Sequence, residues 1–131
     1  MTNYKLTLQL TELELAVCRL PAKTSLPRWV AEESFVSITR TSDELSIVCS
    51  EKYVPVDVKA ERNWRMIKLK GPFDFHLTGV LASLLTPLSD AEIPIFVIST
   101  YDTDYLLLKE DYFNRAISIL ELTCIIENDP L

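Results

Sequence analysis

The sequence of 131 residues contains little glycine, little histidine and few basic side chains, and each shortage excludes certain kinds of site or partner. A chain of this length typically contains about nine glycines, whereas this one contains two, Gly71 and Gly79. We therefore expect turns built from Asp, Ser, Thr and Pro, with the two glycines marking places that do not tolerate a side chain. The single histidine, His76, is too little for a zinc site, and we expect no metal or other cofactor.

Basic residues are outnumbered, 13 Lys and Arg against 19 Asp and Glu, so the net charge is −6. Because phosphate backbones attract basic surfaces, we do not expect a nucleic-acid partner. No charged segment followed by an apolar segment opens the chain, so we expect no signal peptide. The longest apolar runs, such as 93–98, are too short to cross a bilayer, and we expect no membrane partner.

The three cysteines, Cys18, Cys49 and Cys124, are widely spaced and lie among aliphatic neighbours. This pattern predicts buried free thiols in a reducing compartment, and hence a cytoplasmic protein.

The first half of the chain alternates like a set of strands. Leucines at 6, 8 and 10 predict a half-buried strand, and the pattern shifts after Glu12 into a second strand over 15–20. A short helical turn is expected around 27–32. The apolar segments 35–39 and 45–49, separated by a polar stretch, predict a hairpin.

The second half predicts a complete α+β unit. Its expected elements are a strand at 64–70, an amphipathic helix from Leu77 to Leu88 that Pro87 ends or kinks, central strands at 95–99 and 105–108, a helix at 113–120 and a strand at 123–127. This order, βαββαβ, is that of a ferredoxin-like sandwich.

The two halves also resemble each other. An offset of 61 residues aligns Thr39 with Thr100 and Asp43 with Asp104, within a strand–turn–strand of similar aliphatic pattern. We interpret this as one small α+β unit used twice.

The link between the predicted strand at 64–70 and the helix is the first candidate site. It places Thr78 or His76 near the N-cap and Gly79 in the first turn. Unpaired N–H groups at a helix start favour an anion, and glycine lets a ligand approach the backbone. The alternative is that Gly79 only permits tight helix–sheet packing and Thr78 only caps the helix.

The second candidate site is the stretch from Ser99 to Asp104, in which carboxylates and hydroxyls are able to hold an ammonium group. The alternative, which this stretch alone favours, is a hairpin turn rich in turn-forming residues. Together with the helix start, this stretch suits a zwitterionic ligand.

Catalysis has little support in the sequence. His76 is able to act as a general base, but no serine has nucleophile-elbow context and no Gly-rich loop cradles a phosphate. An enzyme that uses His76 with Asp74 or Asp104 is therefore the least favoured interpretation, and we expect a protein that is not an enzyme.

The sequence resembles the ACT-domain family. The stretch 78–82 resembles the glycine-plus-aliphatic signature that opens the first ACT helix. Segments 73–84 and 98–105 together resemble small bacterial tandem-ACT-domain proteins. These in turn are similar to the regulatory ACT domains of aspartate kinase and to cytosolic arginine sensors.

The resemblance implies a ferredoxin-like βαββαβ ACT domain over 61–131, packed beside a reduced N-terminal ACT-like unit over 1–60. The N-terminal unit is called reduced because its stretch 25–30 lacks the glycine-led helix. It also implies a non-catalytic sensor or regulatory subunit that binds a small molecule, an amino acid in the usual case, and forms a homodimer. The main alternative is a protein–protein interaction module without a ligand.

The resemblance further implies the residues of the ligand site. His76, Leu77, Thr78 and Gly79 correspond to the loop that holds the ligand carboxylate. The pocket is completed by residues of the following strand and turn and by two on the matching strand of the first half: Ser99, Thr100, Asp102, Asp104, Ser37 and Thr39.

Overall fold

Leu8 and Leu10 of the alternating N-terminal leucines lie in the same long strand as the segment 15–20, β1 (Thr7–Leu20). The prediction of two separate strands is therefore wrong. The shift after Glu12 has a different meaning, because Leu8 packs in one hydrophobic cluster whereas Ala16 and Cys18 pack in another. The shift marks the residue at which the chain passes between two units.

The computed structural model describes residues 5–30, 34–71 and 78–128. Unit 1 consists of Met1–Glu12 and Arg65–Leu131, and unit 2 of Leu13–Trp64. The start of β1 thus falls in the same unit as the C-terminal half, whereas we had placed the boundary at residue 60. The assignment of functional domains to these segments stays a prediction.

Unit 1 is an α+β fold with the predicted βαββαβ order. The elements are β4 (Ala60–Leu69), which enters unit 1 at Arg65, α1 (Val80–Asp90), β5 (Phe96–Ser99), β6 (Asp104–Lys109), α2 (Glu110–Leu120) and β7 (Ile125–Asn128). Strand β6 lies between β4 and β5, and β1 lies between β4 and β7, which it pairs in parallel. Strand β5 is therefore an edge strand, not the central strand that its apolar run predicted.

The core of unit 1 lies between its helices and its strands. Leu84 and Leu88 of α1 and Phe113 of α2 pack with Ile67 and Leu106 of the strands. The 3.6-residue spacing of the apolar positions thus places one face of each helix on the sheet.

Pro87 lies inside α1, yet the helix continues to Asp90. The prediction that Pro87 ends the helix is wrong. Proline removes one N–H donor, but Leu88, the next residue, is fully buried in the core. We infer that this burial holds the last turn in place.

Unit 2 contains the predicted hairpin, β2 (Ser37–Arg40) paired with β3 (Leu45–Ser50). Its described residues, 13–30 and 34–64, contain two 3-10 helices, Arg28–Val30 and Glu51–Tyr53, and no α-helix. The first of these lies inside the stretch where we expected a helical turn.

The hairpins of the two units have the same turn, but the offset of 61 is wrong. The pair Arg40–Leu45 closes the first hairpin and Ser99–Asp104 closes the second, so equivalent residues are 59 apart. At this offset Thr41 matches Thr100 and Asp43 matches Asp102. Both turn threonines donate a backbone N–H to the carbonyl three residues on, at 2.9 and 2.8 Å respectively.

All three cysteines are buried free thiols, as predicted. A side-chain hydrogen bond with Cys49 lowers the pKa of Cys18, although burial opposes the shift. Within the part of the chain that the structure describes, no cluster of His, Cys, Asp or Glu is placed to hold a metal ion. The same residues include no helix that is long and apolar enough to cross a membrane.

Candidate functional site

Helix α1 begins at a glycine whose backbone is left-handed. Gly79 is the N-cap, with φ +77°, and no side chain caps the helix there among the described residues. We had placed Thr78 or His76 near the N-cap and Gly79 in the first turn. Thr78 lies next to the N-cap, as expected, whereas Gly79 is the N-cap itself and not a residue of the first turn. The first helical hydrogen bond runs from Ser83 N to Gly79 O at 3.0 Å. The N–H groups of residues 80–82, which precede that bond, lack helical acceptors and point out of the helix start.

The two glycines are required for different reasons. A Cβ on Gly71 would lie 2.8 Å from the Asp102 carbonyl oxygen, so this position needs glycine for close packing against the β5–β6 turn. A Cβ on Gly79 would meet no described atom within 4 Å. The alternative in which Gly79 serves tight helix–sheet packing is therefore not supported, and its left-handed φ explains the glycine.

A cavity of about 340 Å³ lies at the start of α1. We call it the helix-start cavity, and its lining residues are Lys5, Leu6, Thr78, Gly79, Val80, Ser83, Thr123 and Cys124. Lys5 is its charged residue and is exposed. The cavity therefore joins a basic side chain to a helix N-terminus, and both favour an anion.

The stretch from Ser99 to Asp104 forms the turn of the β5–β6 hairpin, which is the alternative that we had favoured for it. Ser99 Oγ donates to Asp104 Oδ1 across the closing pair. Thr100 Oγ1 donates to the Thr103 carbonyl at 3.1 Å, and the buried Thr103 donates its own hydroxyl to Leu69 O at 2.7 Å. Several of the hydroxyls and one carboxylate oxygen of this turn are thus used to hold the hairpin.

Asp102 lines a second cavity of about 320 Å³, which we call the sheet-face cavity. Its lining residues are Gln9, Lys68, Lys70, Gly71, Asp102, Thr103 and Tyr105. Among the described residues, the helix start and the Asp102 carboxylate therefore line different cavities. Ser99, Thr100 and Asp104 line neither of the two.

The remaining predicted site residues lie elsewhere. Ser37 and Thr39 belong to β2 of unit 2, where they pair with Val48 and Ser46. His76 and Leu77 lie outside the described residues. Their role in a ligand site stays a prediction.

Several lining residues were missed by sequence reasoning. Ser83 lies one helical turn after Gly79, and this spacing was a signal that could have found it. Lys68 and Lys70 alternate along one strand, and so share one face of the sheet. Their partner on the next strand, Gln9, depends on strand pairing, which the sequence does not specify.

The fold and the site together define a ferredoxin-like α+β domain whose first helix has a glycine N-cap, with no side-chain cap among the described residues. Residues 59–121 match a family model described as an ACT domain, in agreement with the resemblance stated above. A second family model, which describes an N-terminal domain, matches residues 14–57.

Two individual proteins are similar to this chain over most of its length. The cytosolic arginine sensor for mTORC1 subunit 1 of Rattus norvegicus is 28% identical over 108 residues, which cover 77% of this chain and 31% of the sensor. A protein of Agrobacterium tumefaciens of known crystal structure is 36% identical with a TM-score of 0.90, covering 98% of this chain and 96% of that one. The match with the arginine sensor spans less than a third of the sensor's length.

The fold also occurs in E. coli aspartokinase III, solved in complex with aspartate and ADP. That structure has a TM-score of 0.63 at 11% identity, covering 93% of this chain and 34% of the kinase chain. At this identity the similarity concerns the fold alone.

Proposed function

We propose that this protein binds a free amino acid without catalysing a reaction, and that it acts as a sensor or regulatory subunit in the cytoplasm. The observation that carries the proposal is the helix-start cavity, which both Lys5 and the start of α1 line. Among the described residues no side chain caps this helix start and no atom lies within 4 Å of a Cβ placed on Gly79. A ligand carboxylate is the anion that suits this position, because the helix N-terminus offers both N–H donors and a favourable dipole.

The similarity to a protein named as an arginine sensor supports the class of ligand. The cavity volume of about 340 Å³ is within the usual range for small-molecule sites. Which amino acid binds depends on the residues around its side chain. For that role we keep these predicted residues as proposals: His76, Leu77, Ser99, Thr100, Asp104, Ser37 and Thr39. Asp102, which was also predicted, lines the sheet-face cavity instead.

The alternative is a ligand-free interaction module. In that case we expected a side chain such as Phe75 or Trp29 in the space beside Gly79, and Phe75 lies outside the described residues. The openness of this space within the described residues favours a ligand instead. Regulation in trans, through a homodimer, is part of the proposal.

A calorimetric screen of the twenty amino acids against protein stripped of ligand by unfolding and refolding tests the proposal. We expect at least one amino acid to bind. Failure of all twenty, with protein shown to be ligand-free and folded, would contradict it and favour the interaction module.

Variants of Ser83 locate the binding. Ser83 is exposed and lines the helix-start cavity, so Ser83→Asp adds a negative charge where the carboxylate is expected to lie. We expect about tenfold weaker binding from this repulsion, whereas Ser83→Asn, of matched size and neutral, keeps most of the affinity. Equal losses in the two variants would contradict the assigned position of the carboxylate.

A further inference from the structure

The sheet-face cavity is a second place where unit 1 offers charge to a small molecule. Lys68 and Lys70, two residues apart on β4, both line it. Alternate residues of a strand point to the same face, so the two ammonium groups lie on one side of the sheet. This is a concentration of positive charge in a chain whose net charge is −6.

Strand pairing places further polar groups next to Lys68. Lys70 N donates to Thr7 O at 2.9 Å, and Thr11 Oγ1 donates to Met66 O at 3.1 Å, so β1 and β4 run antiparallel. In this register Gln9 lies opposite Lys68, and both line the cavity.

The two lysines are not equivalent. Lys70 Nζ lies 3.5 Å from Glu127 Oε1, and Gln9 Nε2 donates to the same oxygen at 2.9 Å. The Gln9 hydrogen bond is the main cause, and Lys70 a further one, of a lowered pKa of Glu127. Lys70 is thus partly neutralised by a carboxylate that stays ionised.

Lys68, in contrast, has no ion pair or hydrogen bond from its side chain within residues 5–30, 34–71 and 78–128. It is only partly exposed. An ammonium group that is partly removed from water gains from a counter-ion. The cavity in front of it has room for one, since it measures about 320 Å³.

The end of the sheet-face cavity next to Gly71 has the opposite character. Gly71 contributes no side chain, and the exposed Asp102 is the acidic residue among the described residues of the lining. A ligand with a carboxylate at one end and an ammonium at the other matches this distribution of charge.

We propose that the sheet-face cavity binds a small zwitterion, with its carboxylate at Lys68 and its ammonium toward Asp102. This site is separate from the helix-start cavity and does not depend on the function proposed above.

Two probes of equal length test the proposal. 4-Aminobutyrate carries a carboxylate and an ammonium, whereas glutarate carries a carboxylate at each end of the same three-carbon chain. In a titration followed by amide chemical shifts, we expect 4-aminobutyrate to shift Gln9, Lys68 and Tyr105 and to bind more tightly than glutarate. Tighter binding of glutarate would overturn the role of Asp102, and the absence of binding by both probes would overturn the site.

Variants separate this site from other binding. Lys68→Met removes the charge at similar size, and we expect at least about tenfold weaker binding of 4-aminobutyrate, with partial recovery in Lys68→Arg. The matched control is Lys59→Met in unit 2, at an exposed lysine outside the cavity, which is expected to bind like wild type. Unchanged affinity in a folded Lys68→Met protein would overturn the proposal. Because Ser83→Asp concerns the other cavity, its effect on amino-acid binding decides the first proposal independently.

Discussion

Unit 1 and unit 2 are built on the same hairpin turn but differ in the helices on either side of it. Unit 1 has α1 and α2, each of 11 residues, whereas unit 2 has two 3-10 helices of three residues each. The equivalence of 59 residues extends past the turn, because the 3-10 helix beginning at Glu51 stands where α2 begins at Glu110. The difference lies in how far each helix continues.

This difference determines where a ligand site is possible. A helix of three residues has no sustained dipole and no row of free N–H groups. The open helix start, and both glycines of the chain, belong to unit 1. Unit 2 keeps the hairpin and a small core around Cys18, Ile47 and Cys49. Both units thus contain the hairpin, whereas the open α-helix start, which favours an anion, belongs to unit 1.

The largest expected effect comes from truncating equivalent core residues. Leu106 in unit 1 and Ile47 in unit 2 are both fully buried and 59 residues apart. We expect Leu106→Ala and Ile47→Ala each to cost about 2–5 kcal/mol in the free energy of unfolding. Leu106→Ala is expected to cost more, because its cluster includes residues of two helices.

Urea unfolding with two probes measures this difference. Both tryptophans, Trp29 and Trp64, belong to unit 2, whereas both α-helices belong to unit 1. Tryptophan fluorescence therefore reports unit 2, and the α-helical part of the far-UV circular dichroism signal reports unit 1. An equal or larger cost for Ile47→Ala would remove the energetic distinction between the units.

The two glycines of unit 1 are expected to respond differently to alanine. Gly71→Ala forces a Cβ to within 2.8 Å of a carbonyl oxygen, and we expect a loss of about 1–3 kcal/mol. Gly79→Ala introduces no such contact, but the alanine has to adopt φ +77°. We expect this backbone strain to cost about 1 kcal/mol in the free energy of unfolding. Gly79→Asn, the control, is expected to cost less, since Asn tolerates the left-handed region. A greater loss for Gly79→Ala than for Gly71→Ala in thermal unfolding would contradict these assignments.

For the turn that both hairpins share, we expect smaller losses of stability, of equal size in the two units. Thr41 Oγ1 accepts a hydrogen bond from Glu44 N at 3.2 Å, and Thr100 Oγ1 accepts one from Thr103 N at 3.4 Å. We expect Thr41→Val and Thr100→Val each to cost about 0.5–1.5 kcal/mol. Costs that differ by more than about 1 kcal/mol would show that the turns are not energetically equivalent.

The smallest expected effect concerns Glu127 on the surface of unit 1. Because its pKa is lowered in the folded state, chiefly by the Gln9 hydrogen bond, it stabilises the fold at pH above its unfolded pKa. That contribution is lost as the pH falls through the lower, folded pKa. We expect Gln9→Leu to raise the pKa of Glu127 in a carboxyl NMR titration. An unchanged pKa would assign the shift to Lys70 instead.

Much of the fold follows from local pattern. Apolar spacing predicted both helices and the hairpins, and the shift after Glu12 marked the unit boundary even though it was taken for a break between strands. The sequence supports two offsets for the repeat. Thr100 matches Thr39 at an offset of 61 and Thr41 at an offset of 59, and Asp43 matches Asp104 at the first and Asp102 at the second. Without hydrogen bonds, the sequence does not choose between them.

Strand pairing is the part that local pattern does not determine. The position of β1 between β4 and β7 depends on contacts between distant segments, and so does the position of Gln9 opposite Lys68. For the same reason the sequence located Thr78 and Gly79 at the helix start but did not show that Asp102 lines another cavity. The sequence thus predicted the residues at the helix start, but not which residues of other elements line each cavity.

The central claim is that the start of α1 receives a ligand carboxylate, and an amide NMR titration of ligand-free protein with the amino acid found by calorimetry tests it most directly. We predict that the largest chemical-shift changes fall on the amides of residues 79–82. The amide of Thr41, in the hairpin turn of unit 2, is expected to change little. Large shifts confined to unit 2, with the 79–82 amides unmoved at saturation, would contradict the account.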